Sequence, residues 1–163
     1  MVSDDGASIG GSRPQWRSSG TQLIELPREE CIELLSSHRV GRLAFVSSGI
    51  PVILPINYIF DSAAQAVVFR TGRGSKLDAA LHGGRVSFEI DGIDESARTG
   101  WSVVISGATA EMAAAYDISR LDRSRLRPWA PGPKPHWVRL PARTLSGRRI
   151  VLPSRPVAGA YHG

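Results

Sequence analysis

Residues 40–60, VGRLAFVSSGIPVILPINYIF, decide the fold because two strand-like runs flank a short turn. Val40–Ser47 alternates or runs apolar, and Val52–Phe60 is rich in β-branched and aromatic side chains. Such runs on either side of Ser48-Gly49 predict an antiparallel hairpin. Pro55 lies inside the second run and cannot donate to a strand ladder, which indicates an edge, a bulge or a ligand close to the backbone.

More strands are predicted after the hairpin, giving six or seven in all, linked mostly by tight turns. Short helices are predicted from Pro27, from Ser75 to Leu81 and from Ser119 to Leu126. Closing such strands into a barrel removes exposed edges, so we predict a mainly β (α+β) fold, an antiparallel barrel with short flanking helices. The later strands are predicted at Ala66–Thr71, Val86–Asp91, Trp101–Met112, His136–Leu140 and Thr144–Val151.

The chain is predicted to form one domain between two tails. Its 163 residues suffice for one core, which we place at 23–152. Residues 1–20 and 153–163 lack apolar periodicity and cannot offset the entropy of ordering, so we predict that both tails are disordered. Apolar runs all fall short of the roughly 18 residues of a membrane helix, and no secretory signal is recognisable. We therefore expect a soluble, cytoplasmic protein.

Composition excludes several kinds of site. Cys31 is the single cysteine, which rules out an internal disulfide and Cys-cluster metal sites. Four scattered histidines lack metal-ligand spacing, so no metal site is predicted. A net charge of +5 is typical of nucleic-acid binders, but the basic residues are spread along the chain without interleaved aromatics, which argues against that function.

A glycine-bearing loop at residues 69–77, FRTGRGSKL, is the most informative candidate site. It joins a strand end to a predicted helix start and carries Arg70, Ser75 and Lys76. Bare amides at a helix N-terminus together with nearby cations bind phosphate, so one interpretation is a phosphate site. The other is an ordinary solvated turn. Neither a Walker loop nor a dinucleotide fingerprint fits this spacing.

Two further features suggest a bound heterocycle. Asn57, two residues after Pro55, carries an amide suited to a heterocycle, although the segment is equally a strand with a structural bulge. Trp101 and Trp137 head two predicted strands and either pack in the core or flank a planar cofactor. No combination of nucleophile and base is distinctive, so we expect any chemistry to come from a bound cofactor.

Five segments, taken in order, resemble the pyridoxamine 5′-phosphate oxidase-like flavin-binding split-barrel proteins, especially an actinobacterial group. They are Val40–Phe45, Pro51–Tyr58, Val68–Leu77, Arg98–Val104 with Gly107, and Ser146–Ile150. The resemblance implies a homodimer of six-stranded split barrels with FMN in the grooves between subunits.

The resemblance also assigns the cofactor residues. It places the phosphate at Arg70, Ser75 and Lys76, and the isoalloxazine or ribityl chain at Pro55, Ile56, Asn57 and Thr71. Trp101, Trp137 and Arg148 are implied contacts across the dimer interface.

The implied function is an FMN-dependent oxidoreductase that passes hydride or electrons from a reduced donor to a small acceptor. Two alternatives stay open: a non-enzymatic flavin carrier or redox sensor, and a reductase that uses a deazaflavin. Residues that would bind pyridoxine phosphate in the true oxidases are not recognisable, so that activity is not assumed.

Overall fold

A computed structural model describes residues 21–72, 84–113, 118–119, 121 and 126–152. The predicted tails, the helix expected at Ser75–Leu81 and most of the one expected at Ser119–Leu126 lie outside these residues. In the described part, no helix is long and apolar enough to cross a membrane. The elements are β1 (Gln22–Glu25), α1 (Arg28–Ser37), β2 (Val40–Ser47), β3 (Ile50–Asp61), β4 (Ala66–Thr71), β5 (Arg85–Asp94), β6 (Thr99–Ala108), β7 (Ala110–Glu111), β8 (His136–Pro141) and β9 (Thr144–Val151).

All neighbouring strands are antiparallel, in the order β1-β9-β6-β5-β2-β3-β4-β8-β7. The six strands from β6 to β8 curl until those two strands meet: a Cβ built on Gly107 would lie 3.6 Å from Leu140 Cδ1. No ladder joins β6 to β8 among the described residues, so the barrel is split along that line. The predicted antiparallel split barrel is confirmed.

The strand count differs from the prediction, because nine strands are present in the described part instead of six or seven. β1 pairs with β9 outside the barrel and was not predicted as a strand. The run predicted as one strand at Trp101–Met112 is two strands, since β6 pairs with β5 and β9 whereas β7 crosses to β8. β5 also continues to Asp94, three residues beyond the predicted end of this strand at Asp91.

The central hairpin forms as predicted. Ser48 and Gly49 have φ of 51° and 78°, and the two positive values match the twist of the flanking strands. The register from Val40↔Asn57 to Ser47↔Ile50 is unbroken, so Pro55 does not mark a bulge. It lies where β3 pairs with β2 alone, because the ladder to β4 begins at Tyr58. The proline thus marks an edge.

Two apolar clusters lie on opposite faces of the sheet. The main core fills the barrel and includes Leu43, Tyr58 and Phe88; the rings of the last two meet edge to face with centroids 4.8 Å apart. Helix α1 covers this core through Cys31 and Leu35. Pro27, the predicted first residue of the helix, is its N-cap, so the helix begins one position later than predicted, at Arg28. A second cluster, on the outer face of β3, β4 and β8, contains Ile59, Val68, Leu121, Leu126 and Trp137.

Candidate functional site

β3 changes partners at the position of Asn57, and this change builds the first half of the candidate site. Asn57 is opposite Val40 in β2, whereas Tyr58 is opposite Phe69 in β4. Side chains alternate along a strand, so Pro55 and Asn57 share the outer face and Ile56 points to the other side. The three predicted β3 contacts are therefore adjacent in space but divided between two faces.

Asn57 and Arg70 both bind the proline-rich loop at residues 127–135. Asn57 Oδ1 accepts a hydrogen bond of 2.8 Å from the backbone N–H of Trp129. Arg70 Nε donates a hydrogen bond of 2.8 Å to the carbonyl oxygen of Lys134. Two side chains predicted to contact a cofactor therefore also fasten this loop across the outer face.

Trp137 is a packing residue that supports Arg70. Its ring is buried in the second cluster, and the Arg70 guanidinium carbon lies 5.0 Å from the ring centroid, within the range of a cation–π contact. Arg70 and Trp137 are direct partners in the β4–β8 ladder. Trp137 thus lies beside Arg70 in the same chain, apart from Trp101 and Arg148. Thr71 is buried, and alternation points its side chain to the opposite face from Arg70.

Trp101 and Arg148 form a second group, on β6 and β9, which lie four and five strands from β4 in the sheet order. Trp101 packs against the main core, and alternation points Arg148 to the opposite face. Arg148 is opposite Ser102 in the β6–β9 ladder and is exposed. Trp101 covers Gly92 and contacts the His38 ring edge to face at 5.0 Å. Both residues line a cavity of about 670 Å³ at the end of the β5–β6 hairpin. A single chain therefore does not bring all of the predicted contacts together.

An exposed sheet face lies between the two groups. We call it the outer sheet face and define it by the outward side chains of β1, β9, β6, β5, β2 and β3. It exposes large apolar side chains, with Ile53 65% and Ile93 72% accessible. Its remaining exposed apolar members are Leu23, Val40, Val46 and Ile150.

A charged triad is set among these apolar side chains. Arg42 Nη1 lies 3.2 Å from Glu89 Oε2 and also contacts Asp91. Burial, followed by repulsion from Asp91, raises the pKa of the Glu89 carboxyl, while Arg42 acts in the opposite direction. Like charges close together are tolerated because the shared guanidinium bridges them.

The predicted phosphate loop is described only as far as Gly72. Ser75 and Lys76 lie outside the described residues, so the phosphate loop stays a prediction. Within the described part, no group of three His, Cys, Asp or Glu side chains is arranged to hold a metal ion. Sequence reasoning missed Trp129, which is 78% exposed and whose backbone N–H donates to Asn57 Oδ1. A tryptophan inside a run of four prolines was the available signal.

The strand order and the open line between β6 and β8 define the class of antiparallel split barrels. Sequence comparison then gives the family: residues 27–149 match the pyridoxamine 5′-phosphate oxidase family, and the chain belongs to it. An uncharacterised Mycobacterium tuberculosis protein, Rv0080, is 33% identical over 89% of this chain and 97% of its own length.

Two solved structures resemble the chain closely. An FAD-binding protein from Mycobacterium smegmatis is 34% identical, with a TM-score of 0.67 over 77% of this chain and 97% of its own. An FAD-binding protein from Mesorhizobium loti is 26% identical, with a TM-score of 0.63 over 81% of this chain and 99% of its own. The resemblance found in the sequence is confirmed at the level of family and fold.

Proposed function

We propose that this protein binds a flavin nucleotide between two copies of the chain and acts as an oxidoreductase. The observation that carries the proposal is the separation of two ligand-suited groups, Asn57 with Arg70 and Trp101 with Arg148, by an exposed apolar sheet face. A twofold interface on that face would bring one group of each copy toward the other group of its partner. The FAD-binding relatives support a flavin as the ligand.

The described residues fit a flavin phosphate. Arg70 donates to the Lys134 carbonyl through Nε, which is one of the five N–H donors of its guanidinium. The donors of the two terminal nitrogens are suited to bind a phosphate. Trp137 beneath it fixes the guanidinium plane. Ser75 and Lys76 are proposed as the remaining phosphate ligands, and Pro55, Ile56, Asn57 and Thr71 as contacts to the ring system or ribityl chain.

The exposed apolar side chains support a homodimer. Apolar patches of this kind on a sheet commonly mark interfaces, and a twofold interface uses the same patch on both partners. The Arg42 triad would lie inside such an interface with its charges already paired. Trp101 and Arg148 then belong to the site completed by the partner.

A bound flavin supplies two-electron chemistry, taking hydride from a reduced donor such as a nicotinamide and passing it to a small acceptor. Among the proposed ligands, Pro55, Asn57, Arg70, Trp101 and Arg148 bind and orient, and none is an acid or a histidine. This set also suits a second candidate function, a flavin carrier or redox sensor without turnover. Reoxidation of the reduced flavin by nitro compounds or quinones separates the two.

The test is to titrate the purified chain with flavins and to monitor binding by absorbance in the visible region. FMN is the flavin predicted from the sequence, and FAD and a deazaflavin are titrated beside it. Arg70→Ala is expected to weaken FMN binding about tenfold to a hundredfold, because a hydrogen bond to a charged group contributes about 1.5–3 kcal/mol. Arg139→Ala, which removes an exposed cation from β8, is the matched control and leaves affinity unchanged.

A chain that stays colourless and monomeric with all three flavins would overturn the proposal. Unchanged FMN affinity in Arg70→Ala would refute the phosphate assignment alone. Nucleic-acid binding, the less favoured interpretation of the +5 charge, predicts instead an affinity for nucleic acid that falls steeply with salt.

The compartment we propose is the cytoplasm, consistent with the single buried thiol of Cys31.

A further inference from the structure

A small cavity borders Asn57 and is otherwise lined by residues that have no assigned contact to the flavin ring or its phosphate. It has a volume of about 300 Å³ and is lined by Arg39, Asn57, Arg127 and Trp129, among others. Complete ligand pockets span about 300–1,000 Å³, so this space suits part of a ligand, such as one base, better than a whole dinucleotide. Asn57 links it to the proposed flavin site.

Trp129 presents an aromatic surface that nothing in the described part covers. Its side chain is 78% exposed, although a large apolar ring normally gains from burial. The ring is not on a free loop, since Asn57 Oδ1 holds its backbone N–H and Arg70 holds Lys134 five residues later. An anchored, exposed indole is suited to stacking against a planar base.

Two guanidinium groups complete the cavity. Arg39 Nη1 donates to the carbonyl oxygens of Ser36 and His38 at 2.7 and 2.9 Å, which fixes this cation at the C-terminal end of α1. Arg127 is exposed two residues before Trp129. Two arginines that line the same cavity as an aromatic ring match the chemistry of a nucleotide, with charge-assisted bonds to its phosphate and stacking of the base.

We infer that this cavity binds the adenosine monophosphate moiety of FAD, with adenine against Trp129 and the adenosine phosphate near Arg39 and Arg127, while the phosphate that FAD shares with FMN stays at Arg70. The inference rests on the proposed function and deepens it, because it makes FAD, rather than FMN, the preferred flavin. The same moiety occurs in nicotinamide dinucleotides, so the experiment includes both sources.

The experiment measures dissociation constants for FAD, FMN, ADP and NADPH with the full chain and four variants. Trp129→Ala keeps the backbone N–H that Asn57 binds, so the loop anchor survives. We expect it to bind FAD about fivefold to a hundredfold more weakly, the effect of losing one base–aromatic stack, while FMN affinity is unchanged. Trp129→Phe is expected to restore most of the FAD affinity. The FAD dissociation constant of Arg127→Ala is compared with that of Arg143→Ala, which removes an exposed arginine from the β8–β9 turn.

The outcomes separate this inference from the proposed function. Equal FAD and FMN affinity in the wild type, or equal weakening of both by Trp129→Ala, overturns the inference and leaves flavin binding intact. Failure of the wild type to bind any flavin refutes the proposed function. If Trp129→Ala weakens NADPH and ADP but not FAD, the cavity belongs to the electron donor and the FAD assignment is wrong.

Discussion

Asn57 Oδ1 accepts a hydrogen bond of 2.8 Å from the backbone N–H of Trp129, joining the middle of the sequence to a loop 72 positions later. The bond fixes the loop by its backbone and leaves the indole exposed. The same asparagine lies where β3 passes from β2 to β4. One residue therefore lies both at an attachment point of the loop and at the change of strand partners.

Replacing Asn57 is expected to release the loop. Asn57→Ala removes the acceptor and is expected to cost about 1 kcal/mol, seen as roughly fivefold faster hydrogen exchange at the Trp129 amide. Asn57→Asp keeps an oxygen in the same place and is expected to retain protection. Hydrogen exchange followed by NMR at that amide is the measurement. Equal protection in wild type and Asn57→Ala would show that the loop is held by other contacts.

Gly41→Ala is expected to destabilise the barrel. A Cβ at Gly41 would lie 2.3 Å from Phe88 Cζ and 2.8 Å from the backbone oxygen of Glu89, so a core ring and a neighbouring strand must both shift. Overpacking of this kind costs about 2–3 kcal/mol. Gly107→Ala is the control, because its nearest contact is an ordinary 3.6 Å to Leu140 Cδ1. Urea unfolding measures both, and equal stability of the two variants would contradict the packing described for β2.

The outer sheet face is tested by a pair of isoleucines. Ile53 and Ile50 are both 65% exposed on β3 but, three residues apart, point to opposite faces. Ile53→Asp places a charge in the proposed interface and is expected to give monomers, whereas Ile50→Asp leaves the dimer intact. Sedimentation velocity measures the oligomeric state of both variants. If Ile53→Asp is still a dimer, the interface lies on another surface of the chain. If the wild type is a monomer, the proposed homodimer is excluded.

Glu89 is expected to make stability depend on pH. Its pKa is raised by burial and by Asp91, so the folded chain holds this proton at a pH where the unfolded chain has lost it. Its contribution to stability is thus present below the ordinary value of 4.5 and is lost as pH rises through the raised pKa. Relative to wild type, Glu89→Gln is expected to be more stable near pH 7 than near pH 4, measured by urea unfolding across that range.

Asp94 provides a control of opposite sign. A hydrogen bond of 2.6 Å from Ser96 Oγ, and a second from the Ala97 backbone N–H, lower its pKa. Its contribution is present above the unfolded pKa and lost as pH falls through the lowered one. Asp94→Asn is therefore expected to lose stability relative to wild type as pH rises. The same slope in both variants would contradict the assignment of the two shifts.

Much of the fold was predictable because strand signals are local. The Ser48-Gly49 turn and the alternation in β2 and β5 follow from neighbouring residues alone. β1 was missed because all four of its residues are exposed and show no alternation. The break between β6 and β7 was missed because each strand pairs with a different part of the sheet, which no local pattern encodes.

The sequence by itself determined the antiparallel barrel, the family and the types of side chain available for a flavin, since these follow from periodicity and from the order of short motifs. Only the tertiary structure decided which of those side chains meet. Trp137 lies under Arg70 because β4 and β8 are paired in one particular register, and Asn57 reaches Trp129 because the chain crosses back over the outer face. Contacts between distant segments depend on how the whole sheet curls, so they become fixed only when the barrel closes.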